Sequence, residues 1–157
     1  PGLGTSEKVV EGVRRLVDGA DRPVVVDGDA LTALVGTTIR PGPQAVLTPH
    51  DGEFKRLAEQ FPGSDRIGAV RSLAGRTGSV VLLKGPTTVV AHPDGRVLLA
   101  AAGDRRLATA GSGDVLAGIL GAFLARGAGA LEAAAAAAHD KTRSAKARCV
   151  GSNAVSG

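Results

Sequence analysis

The sequence predicts an α/β domain built on a mostly parallel sheet, and three observations point there. Short apolar runs rich in β-branched residues recur along the chain, segments of helical periodicity stand between them, and the joining loops are short and marked by proline or glycine. Hydrophobic residues make up 43% and charged residues 22% of the 157 positions, a globular balance with enough material for one core. Aromatics are only 2%, with no Trp or Tyr, so that core must be built from Val, Leu, Ile and Ala.

The elements follow in order. Val9, Val10, Val13, Leu16 and Val17 recur at helical spacing and predict an amphipathic helix over 6–18. Pro23 introduces Val24-Val25-Val26, a strand apolar on both faces that ends at Asp27. A short helix follows at 29–35, and Pro41-Gly42-Pro43 marks a loop. Ala45 to Thr48 is a second strand, interrupted by Pro49. Helices are expected at 51–60 and 65–75, then a strand from Ser79 to Leu83. Residues 87–92 and 96–101 flank Pro93-Asp94-Gly95 and read as a β-hairpin. An apolar helix runs from Asp114 to Arg126, and an Ala-rich one starts at Ala130. The basic, small-polar stretch 139–157 reads as a tail, a frayed helix followed by disorder, set apart from the domain at 1–138.

Composition narrows the function. Few rings are available to stack bases, which argues against a single-strand nucleic-acid platform. The net charge of +4, concentrated near Lys141, Arg143, Lys146 and Arg148, suits a phosphorylated small molecule as well as a polyanion. One cysteine, Cys149, excludes an intramolecular disulfide and a multi-Cys zinc site. No apolar run is long enough to span a bilayer, and no signal peptide opens the chain, so the expected compartment is the cytoplasm. There is no Met, and the chain opens Pro1-Gly2-Leu3-Gly4, which reads as a fragment.

The segment Ala108-Thr109-Ala110-Gly111-Ser112-Gly113-Asp114 carries the most chemistry, because it runs straight into an apolar helix. Glycines let the backbone approach a ligand, and the unpaired N–H groups of the helix start favour an anion, so Gly111, Ser112 and Gly113 form a candidate anion hole. Asp114 beside it is placed to take a proton from a hydroxyl that attacks phosphorus. A plainer reading makes Asp114 the helix N-cap. Lys84-Gly85-Pro86-Thr87-Thr88 follows a buried strand, where open α/β sheets bind ligands. Lys84 offers a point charge and the threonines hydroxyls, unless the segment is simply an exposed turn.

Thr48-Pro49-His50-Asp51-Gly52-Glu53 also lies at a strand end. There His50 offers a substrate hydrogen bond and Glu53 a hold on water or metal, while Asp51 and Glu53 equally suit a first helical turn. Asp27 and Asp29 are compatible with a metal-associated phosphate or a ribose hydroxyl, and Asp29 with a helix cap; spacing does not separate these.

In order and spacing these segments resemble the ADP-dependent NAD(P)H-hydrate dehydratases. Pro1-Gly2-Leu3-Gly4 is similar to that family's Gly-Pro-Gly-Leu-Gly loop without its first glycine, and Asp27 to Leu31 to its Asp-Ala-Asp-Ala-Leu segment. Leu47 to Glu53 resembles Leu-Thr-Pro-His-Pro-Gly-Glu with Asp51 in place of the second proline. Leu83 to Thr88 resembles Leu-Lys-Gly-x-x-Thr, and Thr109 to Leu116 resembles Thr-x-Gly-x-Gly-Asp-Val-Leu.

The resemblance implies a ribokinase-like three-layer α/β/α fold, incomplete at its N-terminus, whose absent strands would leave an unpaired apolar edge. It implies repair of hydrated NADH and NADPH: the ring hydroxyl attacks the terminal phosphate of ADP (or ATP), phosphate leaves, and NAD(P)H is restored with AMP as by-product. It assigns the catalytic base and a hydrate contact to Asp114. Further hydrate contacts fall to Gly2, Gly4 and His50, and the nucleotide to Lys84, Gly85, Pro86, Thr87, Thr88 and Gly113. Mg²⁺ is the expected counter-ion. No metal held by the protein alone, no nucleic acid and no membrane are expected, and a homo-oligomer is. Two rival readings are a small-molecule kinase of the same superfamily and a non-catalytic nucleotide-binding fragment.

Overall fold

In the computed structural model, which describes residues 2–18, 20–101 and 111–140, each apolar run forms a strand of one sheet. The strands are β1 (Val24–Val26), β2 (Ala45–Leu47), β3 (Val80–Leu83), β4 (Thr87–Ala91) and β5 (Val97–Ala101). The helices are α1 (Glu7–Asp18), α2 (Asp29–Ala33), α3 (Asp51–Ala58), α4 (Arg66–Thr77) and α5 (Ser112–Ala125), followed by a helix α6 over residues 130–140. The tail beyond residue 140 and the segment 102–110 lie outside the described residues.

Strand order in space follows strand order in sequence, β1-β2-β3-β4-β5. The pairs β1·β2 and β2·β3 are parallel, whereas β3·β4 and β4·β5 are antiparallel. Only β4 therefore runs against the others, so the strands are mostly parallel in direction, although half of the pairings are antiparallel. The connections explain this. Helices α2, and then α3 with α4, carry the chain back between parallel neighbours, while Lys84–Pro86 and the turn at Pro93–Gly95 are tight reversals. Among the described residues the sheet edges are β1, which is only three residues long, and β5, where Leu99 is exposed.

Alternation along each strand sends side chains to two cores. Val26, Leu47, Val81, Leu83, Val89 and Ala91 meet Val17, Leu31, Phe54, Val70, Leu73 and Ala74 from α1 to α4. On the opposite face Val46, Val80, Leu82, Val90 and Ala100 meet Leu116, Leu120 and Leu124 of α5 and Leu131, Ala133, Ala134 and Ala137 of α6. Helices thus cover both faces, in the three-layer α/β/α architecture expected from the sequence. The runs read as fully apolar are so because both faces are buried.

Helix ends depart from the sequence reading by a few residues, for local reasons. Helix α3 stops at Ala58 because Glu59 turns left-handed (φ 63°). Helix α4 continues to Thr77, where Gly78 supplies a left-handed C-cap (φ 66°). Its start is fixed by Asp65, whose carboxylate accepts from the Gly68 N–H at 2.8 Å.

The hairpin turn is held by side chains. Asp94 accepts from the Arg96 backbone N–H at 3.0 Å and from Arg96 Nε at 2.8 Å, with His92 Nδ1 2.9 Å away. The Arg96 backbone hydrogen bond, then its guanidinium, lower the Asp94 carboxyl to about 2. Because the folded value lies below the ordinary one, the turn's hold is present above about pH 4 and is lost as pH falls towards 2.

Two measurements check this account. Phe54, the largest fully buried side chain, should cost about 3–5 kcal/mol in urea unfolding as Phe54→Ala, against less than about 0.5 kcal/mol for the exposed Leu16→Ala. An NMR titration should place the Asp94 midpoint near 2, and Arg96→Ala, which removes the guanidinium but keeps the backbone N–H, should raise it part of the way to the ordinary carboxylate range.

Candidate functional site

Parallel strands deliver their C-terminal ends to one side of a sheet, and β1, β2 and β3 each change there from valine or leucine to polar residues. The ladder continues past the strands. Thr48 N–H donates to Val26 O at 3.0 Å, and Lys84 N–H donates to Pro49 O at 2.9 Å. Pro49 has no N–H to give, so β2 ends there while its carbonyl still anchors Lys84. Asp27, His50 and Lys84 are thereby fixed side by side.

The Lys84 ammonium lies 2.8 Å from Asp27 Oδ1 and 3.8 Å from Glu53 Oε2. Both carboxylates are 8% exposed at the side chain and the lysine 20%, so the cluster is largely withdrawn from water. Each acid has a second tie: Asp27 Oδ1 accepts from Gly28 N–H at 3.0 Å, and Glu53 Oε2 from His50 N–H at 2.8 Å. Two carboxylates face one ammonium, leaving one negative charge in excess. Glu53 is the more distant partner, so the close pair is Lys84 with Asp27.

His50 has a structural role of its own. As N-cap of α3, its Nδ1 accepts from the N–H groups of Gly52 (3.0 Å) and Glu53 (3.2 Å) while Glu53 reaches back to its backbone, a capping box with imidazole in place of a hydroxyl. With Nδ1 accepting, the ring proton of neutral His50 sits on Nε2, 3.5 Å from Glu53 Oε1. Asp51 and Glu53 occupy the first turn, as read from the sequence.

Helix α5 begins at an N-cap that is glycine, Gly111 (φ 83°), with no side-chain cap hydrogen bond. Among the described residues, no side chain accepts from its first N–H groups. A Cβ placed on Gly113 would lie 3.5 Å from Asp27 Oδ2 and 3.9 Å from Lys84 Nζ, so the first turn of α5 rests against the buried pair. Asp114 sits three residues past the cap and is exposed; it does not cap the helix. The side chain of Ser112 and the residues Ala108–Ala110 of the motif lie outside the described residues.

The remaining sequence candidates fall nearby. Gly2 and Gly4 both have positive φ (73° and 77°), and Gly4 N–H donates to Asp29 Oδ2 at 2.9 Å, tying the N-terminal loop to the start of α2. Asp29 is thus not the cap, a place taken by Gly28. Lys84–Pro86 form the turn out of β3, whereas Thr87 and Thr88 already belong to β4.

Sequence reasoning missed Arg66. Its guanidinium forms a bidentate pair with Asp51 (3.0 and 2.9 Å) and donates to Lys84 O at 3.2 Å. Nothing in the local pattern marks it, since it is one of several arginines on α4. The Asp27–Lys84 pair, 57 residues apart in sequence, was equally invisible.

Among the described residues no three His, Cys, Asp or Glu side chains converge to hold a metal ion, and no helix is long and apolar enough to cross a membrane. A cavity of about 280 Å³ lies at the opposite end of the sheet, lined by Pro23, Pro43, Gln44, Leu124 and Gly127 to Ala130, and carries no titratable side chain.

Three layers, with polar strand ends facing a glycine-started helix, are the architecture of the ribokinase-like class. Similarity of the fold to a ribokinase-like protein of Enterococcus faecalis (TM-score 0.84, 24% identity, 96% of this chain and 54% of that one) agrees. Residues 1–153 match the family model described as NAD(P)H-hydrate dehydratase, and the chain belongs to that family.

It is 51% identical over 138 residues to a bifunctional NAD(P)H-hydrate repair enzyme of Mycobacterium tuberculosis, covering 86% of this chain and 29% of the relative. It is 47% identical over 144 residues to the enzyme of that name in Salinibacter ruber, covering 88% and 27%. Among solved structures, the ADP/ATP-dependent NAD(P)H-hydrate dehydratase of Bacillus subtilis, co-crystallised with ATP and Mg²⁺, superposes with a TM-score of 0.84 at 32% identity, over 96% of this chain and 54% of that one. The chain thus spans under a third of the length of these curated relatives.

The ion pair makes a direct prediction. Lys84→Met should destabilise the fold by about 3–5 kcal/mol, because it leaves two buried carboxylates without their cation. In a double-mutant cycle with Asp27→Asn, chemical denaturation should show the pair of changes costing less than the sum of the single ones.

Proposed function

We propose that this chain carries the ADP-dependent dehydration of NAD(P)H hydrate, with the nucleotide phosphates lying between Lys84 and the first turn of α5. The observation that supports this best is the placement of Gly113 against Lys84. It brings an uncapped helix N-terminus and an ammonium to one spot, and both favour an anion. On this reading Gly111, Ser112 and Gly113 supply backbone N–H groups to the terminal phosphate, and Gly85 to Thr88 line the rest of the nucleotide. Gly2, Gly4, His50 and Asp114 face the hydrate.

Asp114 acts as the base. The hydrate's ring hydroxyl forms its bond to the terminal phosphorus of ADP as its proton passes to the Asp114 carboxylate, and the bond to AMP breaks. The phosphate then leaves carbon with the C–O electron pair, a neighbouring ring C–H gives up its proton to water, its electrons form the ring double bond, and the reduced nicotinamide is restored. The exposure of Asp114 fits a group that must meet a substrate, while Asp27 and Glu53 are engaged with Lys84. Mg²⁺ fits here only as an ion that travels with the phosphates, since the described residues build no cage of their own and one carboxylate charge stays in excess beside the lysine. A cytoplasmic location, where reduced nicotinamides are used, goes with this reading.

The test is recovery of absorbance at the reduced-nicotinamide band when protein is mixed with hydrate, ADP and Mg²⁺. Asp114→Asn should lower the rate by about 10²- to 10⁴-fold while still binding ADP in a calorimeter. A phosphorylated product that survives incubation with ATP would instead select the small-molecule kinase. ADP binding without turnover by the wild-type chain would select the nucleotide-binding fragment. Gly113→Ala has room for its methyl against Asp27 and Lys84, so it should fold normally yet weaken ADP binding, read in the same calorimeter.

A further inference from the structure

The segments at His50 and at Lys84, which already meet through the Pro49 carbonyl and through Glu53, are joined a further time by the side chain of Arg66. Arg66 is the first residue of α4, directly after the Asp65 cap that starts the helix. Its two terminal nitrogens grip both oxygens of Asp51, the residue next to His50, and one of them also donates to the backbone carbonyl of Lys84. The remaining nitrogen, Nε, is buried with no hydrogen-bond partner among the described residues. An arginine that leaves a buried donor unmet is oriented by its fork, and here the fork is spent on the first residue of α3 and on the turn after β3. Gly85 leaves the space for it: a Cβ there would lie 2.7 Å from Arg66 Nη2.

We propose that Arg66 is a positioning residue that couples the two halves of the ligand site, making the His50 segment and the Lys84–Gly85 turn move as one. The ligand consequence rests on the function proposed above: a nucleoside diphosphate held at Lys84 then also stiffens the segment facing the hydrate, and the hydrate segment in turn favours the nucleotide. The link is geometric, because a planar fork spans a carboxylate and a carbonyl at once, whereas a lysine at 66 offers a point charge to one of them.

The experiment is amide hydrogen exchange on the full chain, free and with ADP and Mg²⁺, for wild type, Arg66→Gln, Arg66→Lys and Asp51→Pro. Proline suits position 51. It is the first helical residue, where an N–H has no intrahelical acceptor, and His50 before it is already extended (φ −85°, ψ 174°). This substitution removes the carboxylate and keeps the helix start.

In the free protein, Asp51→Pro and Arg66→Gln should each speed exchange several-fold in the peptide covering residues 84–88, although Asp51 lies on a different element. Arg66→Lys should resemble Arg66→Gln rather than wild type. With ADP, wild type should slow exchange in both the 84–88 and 50–54 peptides, and the variants only in the first. Unchanged exchange at 84–88 in a folded Asp51→Pro protein overturns the coupling, as does full rescue by Arg66→Lys. If ADP protects nothing in wild type while Asp51→Pro still loosens 84–88, the nucleotide reading falls and the mechanical link stands.

Discussion

The Lys84 ammonium, held between the buried carboxylates of Asp27 and Glu53, is the contact on which the rest of the site depends. It ties the end of β3 to the end of β1 and to the first turn of α3, and each tie is braced by a backbone hydrogen bond, from Gly28 N–H to Asp27 and from His50 N–H to Glu53. A charge withdrawn this far from water is tolerated only with partners, and the partners exist only because three parallel strands end at the same edge. The first turn of α5 then packs against the pair through Gly113, where a larger side chain would occupy the space above Asp27 and Lys84.

This arrangement reconciles two demands on the same residues. A buried lysine without acids nearby would be costly to keep charged, while a lysine fully satisfied by acids would have little left for a phosphate. Here Asp27 is close and Glu53 distant, and Glu53 divides its carboxylate between the lysine and the capping of α3. His50 is similarly divided. Its Nδ1 is used by the helix start, so only Nε2 and the ring edge remain for anything outside. The capping box thus sets which face of the imidazole a ligand can meet.

The fold itself was largely legible. Fully apolar runs such as Val24-Val25-Val26 and Val80 to Leu83 announced strands buried on both sides, and the two helical layers confirm why no alternation was seen in them. The hairpin at Pro93–Gly95 was readable because its turn chemistry is local. Helix ends were less so: Glu59 adopts a left-handed conformation that no glycine or asparagine advertised, and α4 outlasted its apolar pattern until Gly78.

For the site, the sequence by itself determined which short segments carry chemistry. Glycine before a helix, acids and lysine at strand ends, and a His-x-Gly-Glu start are local patterns with local physical meaning. It also determined that Asp114 lies in the first turn of an apolar helix. Only the tertiary structure decided partners. That Lys84 pairs with Asp27, that Gly28 and Gly111 rather than the aspartates take the cap positions, and that Arg66 reaches Asp51 and the Lys84 carbonyl all depend on which strand lies beside which. Hydrogen bonds and ion pairs act over about 3 Å of space, and sequence separation fixes such distances within a turn or helix but not across a sheet.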